Sequence, residues 1–180
     1  MSAYLLVLLA IVSRVAPHPA WMNFTAVGGS LLYFGARRPA WQIAVPAALF
    51  AGSDYYLTVH VYNYPFVVQG YLLTWLWYAG AGLLGAWRLK GRPGAGRVIG
   101  ASLLASTSFF AMSNFSVWAG SSMYPHTAAG LAACYAAGLP FYRNDILSTL
   151  VVAGLAFGSA QLAPRLVEAR KGTLAQLRFR

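Results

Sequence analysis

Few side chains in this sequence could bind or transform another molecule. They are three histidines (His18, His60, His126), one cysteine (Cys134), and four polar groups beside or inside apolar runs: Arg14, Asn23, Asp54 and Asn114. Histidine with cysteine is the raw material of a metal centre or of a nucleophile and base. The spacing supports neither reading. No histidine pair stands at i, i+4, no HExxH motif occurs, and His126 lies eight residues from Cys134, a separation with no diagnostic meaning. With three acidic residues in the whole chain and no glycine-rich phosphate loop, carboxylate-based hydrolysis and ATP turnover are both disfavoured. The chain is therefore expected to recognise a molecule and not to act as an enzyme.

The stretch 123–145, MYPHTAAGLAACYAAGLPFYRND, gathers the densest set of such groups. Cys134 sits among small apolar residues, where a thiol is ordinarily buried and inert, though a soft sulfur also suits a metal carried by a bound cofactor. Arg14 and Asp54 each fall within an apolar run, and an ionisable group there faces a partner, a cavity or a pathway. Two readings stay open. Either they line a cavity with Asn114, floored by Trp75 and Trp77, or they pair with each other and fix helix packing. Trp118 and Tyr124 join the candidate ligand-binding residues, and with Trp21, Tyr62 and Tyr64 they form an aromatic rim of the kind that anchors helices at a membrane surface.

These groups must be positioned by membrane helices. Only 9% of the 180 residues are charged, 59% are hydrophobic and mean hydropathy is +0.58, against roughly 25% charged residues in ordinary soluble domains. One all-α integral membrane domain over 1–164 is expected, followed by a basic tail at 165–180. The apolar runs and their proline, glycine and arginine stops predict six transmembrane helices at about 3–16, 25–36, 41–59, 65–87, 98–118 and 146–163. The apolar part of the 123–145 stretch, 127–139, is too short for a confident span. It is expected as a re-entrant or surface segment before the last helix, with Arg143, Asn144 and Asp145 in a turn.

With both termini on the cytoplasmic side, eleven of the thirteen Lys and Arg residues fall inside, leaving only Arg14 and Arg143 towards the outside. The three histidines and the polar groups near the helix ends then share the outer face, and 123–145 becomes a lid or wall over the site. The net charge of +10 would suggest nucleic acid in a soluble chain. Here the basic residues lie in loops and in the tail, where they meet anionic lipid, so the lipid bilayer is the expected partner and nucleic acid is not.

The motifs PHPAWMNFTAVG (17–28), GSD (52–54), NFSVWAGSSMYPHTAAGL (114–131) and CYAAGLPFYRND (134–145) resemble an uncharacterised family of small bacterial inner-membrane proteins. That family is in turn similar to the substrate-binding S components of energy-coupling factor vitamin transporters. The resemblance implies an S-component-like six-helix bundle that captures a vitamin-like or metal-containing small molecule from outside. Cobalamin is one possible ligand, with Cys134 as a cobalt ligand, and a separate energising module is a possible partner. Ala101 and Ala105 have the small-residue spacing for docking such a module. The alternative is a non-transporting scaffold in cell-envelope assembly.

Overall fold

The computed structural model describes residues 2–16 and 24–178, with the backbone alone for 163–178. His18 and Asn23, two of the candidate ligand-binding residues, lie outside the described residues. Among those described there are six α-helices and no strand: α1 (Ala3–Val15), α2 (Val27–Arg37), α3 (Ala44–Tyr56), α4 (Leu72–Arg88), α5 (Ala95–Gly120) and α6 (Ala128–Arg178). A 3₁₀ turn (Ala40–Ile43) leads into α3, a π-helical turn (Leu57–Val61) ends it, and a second 3₁₀ turn (Val68–Tyr71) precedes α4. The first five helices match the runs expected from sequence to within a few residues, apart from the late start of α4.

The sixth differs. Residues 127–139 form neither a re-entrant nor a surface segment, and Arg143–Asn144–Asp145 is not a turn. One helix runs unbroken from Ala128 through Pro140 and on to Arg178. Proline has no N–H to give to the preceding turn, so the sequence reads as a stop. Pro140 lies on the exposed side of the helix, where its ring meets no neighbouring helix, and the helix continues past it. Thr127 starts the helix as an N-cap, its Oγ1 accepting the Gly130 N–H at 3.1 Å.

The centre of the fold is its shortest helix. Every residue of α2 from Val27 to Ala36 is buried. The buried hydroxyl of Ser30 is satisfied within the helix by donating to the Val27 carbonyl at 2.8 Å. A helix apolar all round belongs inside, and α2 lies against α1, α4, α5 and α6. Glycines make this possible. A Cβ on Gly35 would overlap the Gly82 carbonyl of α4, and one on Gly85 would overlap the Leu32 carbonyl of α2, so the two backbones touch. On the opposite side Gly29 meets Val152 and the Ala153 backbone of α6. Gly35→Val is expected to lower stability by at least about 1–3 kcal/mol through overpacking, read as an earlier thermal unfolding transition of the detergent-purified protein.

Among the described residues two helices are long and apolar enough to cross a membrane, α5 and the Ala128–Leu162 part of α6. The outer surfaces are apolar too: Leu5, Leu8, Leu9 and Val12 of α1, and Leu103 and Leu104 of α5, are exposed. Ala101 and Ala105 do not offer a docking face. Both are buried in the core, at 6% and 1% exposure.

Candidate ligand cavity between the last two helices

The longest pairing in the fold, α5 against α6, encloses a cavity of about 240 Å³. The α6 wall is Cys134, Ala137, Gly138, Phe141, Tyr142 and Asp145, steps of three, one, three, one and three that trace a single helix face. The α5 wall is Phe109, Phe110, Ser113, Asn114 and Val117, and Met123 and Tyr124 from the connecting loop complete the lining. The exposed side chains of Val117, Met123 and Phe141 mark its rim. Phe110 and Tyr142 stack across the two helices with centroids 4.5 Å apart, and the Tyr142 hydroxyl is 2.8 Å from that of Thr107.

Asn114 and Cys134 fasten the two walls together. Asn114 Nδ2 donates to the Phe110 carbonyl at 2.8 Å, and Cys134 Sγ stands 3.3 Å from the Asn114 carbonyl oxygen, to which its S–H donates. Gly138 leaves room for the amide, since a Cβ there would overlap the Asn114 side chain. Cys134 is 2% exposed, so N-ethylmaleimide is expected to modify it far more slowly in the folded protein than after unfolding in SDS, followed by mass shift. Equal rates would show that the thiol is not held in this way.

The loop closes over this end through Trp118, whose Nε1 donates to the Pro125 carbonyl at 3.0 Å. The His126 ring sits edge-on to Trp118 at 5.6 Å, with Nε2 3.3 Å from the Ser121 carbonyl oxygen. Trp118 and His126 therefore shape the loop and do not line the cavity. His60 is exposed at the end of the π-helical turn, against Tyr55 and Tyr56. Among the described residues no three His, Cys, Asp or Glu side chains are close enough to hold a metal ion.

Arg14 and Asp54 form an ion pair at 2.5 Å that joins α1 to α3. Asp54 also accepts from Trp75 Nε1 at 3.0 Å and from the Tyr78 hydroxyl at 3.2 Å, both on α4. Arg14 Nη1 donates to Ser53 Oγ at 2.8 Å and to the Tyr78 hydroxyl at 3.1 Å. Three helices are thus pinned by one satisfied network, and the pairing reading of these two residues describes the geometry. Arg14 also borders a smaller cavity of about 80 Å³ with Thr25, Val27, Trp77, Tyr78, Phe109 and Asp145. Trp77 borders it while its Nε1 donates to Ser108 Oγ and the Ala105 carbonyl.

Asp145 belongs to both cavities, together with Phe109. It is 7% exposed, its Oδ2 has no hydrogen-bond partner, and it makes no ion pair among the described residues. Sequence reasoning set it at the outer end of the last helix and left it out of the ligand-binding set. The signal that finds it is the 134–145 stripe, visible only when 128–162 is read as one helix.

The sequence matches the model of a family of unknown function, DUF6580, over residues 1–171. No curated protein and no solved structure matches the chain.

Proposed function

The chain belongs to DUF6580, a family of unknown function, and we propose that it is a membrane-embedded binding and uptake protein for a small molecule held between α5 and α6. The observation that carries this reading is the cavity of about 240 Å³, in which Asn114, Tyr124 and Cys134 converge with a wall of aromatic rings. A mostly apolar pocket with a few convergent polar groups is the usual form of a ligand site, and this one is at the small end of the ~300–1,000 Å³ range. That volume favours a ligand smaller than a corrinoid. The S-component likeness adds capture from the outer face and an energising partner, and it rests on chain size, helix number and polar loops at one end.

The test is a search for ligand on the full-length protein purified in detergent. Native mass spectrometry would look for a co-purifying molecule. Thermal unfolding would be followed with thiamine, riboflavin, biotin, cobalamin, haem and divalent metal ions. A ligand that raises the unfolding temperature of the natural protein, and has no effect once Ala137→Trp fills the cavity, is the expected result. Absence of both a co-purifying ligand and any stabilisation would overturn the reading.

A scaffold role is favoured by a different observation. A second hollow of about 360 Å³ lies lower on the same helix pair, lined by apolar side chains including Ile99, Leu150 and Leu162. It is a groove of the kind that a partner's transmembrane helix would cover.

A further inference from the structure

We propose that the ligand of the α5–α6 cavity is an organic cation, an ammonium group carried on an apolar body, and that Asp145 supplies its counter-charge. The inference rests on the ligand-binding reading above and names its chemistry.

Charge comes first. Asp54 is neutralised by Arg14 and further held by Trp75 and Tyr78. Asp145 has no such partner, although it is more than nine-tenths buried and borders both cavities. Among the described residues no Lys, Arg or His lines the larger of these two cavities, so that lining carries a single negative side chain and no compensating positive one. Arg14 borders the smaller cavity but spends its guanidinium on Asp54, Ser53 and Tyr78. Ser106 is the hydroxyl beside this carboxyl, but a buried carboxylate left without a cationic partner is costly, and a cation entering from outside removes that cost.

The lining then selects the kind of cation. A hard metal ion such as calcium asks for roughly six to eight oxygen ligands, whereas this cavity offers mainly the faces and edges of Phe109, Phe110, Tyr124, Phe141 and Tyr142. Aromatic rings attract an alkylammonium through their quadrupoles and accept an apolar body through burial. One carboxylate among five rings therefore fits an amine better than a metal ion, and an anion worst of all.

Three probes of one shape separate these cases: 2-phenylethylammonium, neutral 2-phenylethanol and anionic phenylacetate, each titrated by calorimetry against the full-length protein in detergent. The expected order is cation, then alcohol, with the acid not detected, and a cation-over-alcohol preference of at least ~tenfold, about 1.4 kcal/mol. Asp145→Asn should abolish that preference while leaving alcohol affinity unchanged, and Asp145→Glu should restore part of it. If Asp145→Asn does not fold, the three probes on the natural protein still decide the question. Equal binding of cation and alcohol, or tighter binding of the acid, overturns the charge assignment and leaves the ligand-binding reading intact. Binding of none of the three overturns the amine assignment, and the ligand search described above decides the ligand-binding reading separately.

Discussion

Asp54→Ala is expected to destabilise the folded protein by about 3–5 kcal/mol, because it strands the Arg14 guanidinium beside α3 with no carboxylate to receive it. The loss includes the acceptor of Trp75 Nε1 and of the Tyr78 hydroxyl, so the junction of α1, α3 and α4 comes apart at one point. The double variant Arg14→Met/Asp54→Leu removes both charges together and should recover most of the stability, since a buried ion pair is often matched by apolar residues of similar volume. Unfolding midpoints in detergent would check this. A double variant as unstable as Asp54→Ala would mean that the network is not what holds these helices.

The second aspartate should respond with the opposite sign. Asp145→Leu is expected to stabilise the ligand-free protein by about 1–3 kcal/mol, because it replaces a buried oxygen without a partner by a side chain suited to its surroundings. The same change should remove the preference for 2-phenylethylammonium over 2-phenylethanol. A protein that keeps a costly group at a cavity wall is trading stability for a site. A fall in the unfolding midpoint of Asp145→Leu would instead make this carboxylate part of the scaffold.

Much of this arrangement was legible in the residues. Arginine and proline stops mark the ends of α1 and α2 within a few positions, because each limits a helix by its own chemistry: a missing N–H, a charge that seeks water. Asn114, Tyr124 and Cys134 were picked out by their polarity or position and converge on one cavity. The 123–145 stretch, expected as a lid or wall, provides the loop cap and half of one helix face. What failed was the break placed at Pro140 and Arg143–Asn144–Asp145. Local propensity argued for a turn there, and contact with α5 and α2 overrode it. With the helix broken, Cys134 and Asp145 fall in different elements and their common face cannot be seen. The enclosed position of α2 was hidden for another reason. Its glycines at 28, 29 and 35 announce close approach, but which helices approach is a tertiary fact, set by Gly82 and Gly85 some fifty residues later.

That enclosure has a consequence for the order in which the chain becomes a protein. The seat of α2 is built from α4 and α6, elements that emerge from the ribosome long after residues 27–37 do. Until Val152 and Ala153 arrive, the Gly29 side of α2 has nothing to close upon. Contacts between segments so far apart in sequence form late and leave the waiting segment exposed to wrong partners. A nascent chain that ends before Ala128 therefore leaves the α6 side of its innermost helix uncovered, and the fold is completed by its last-made helix.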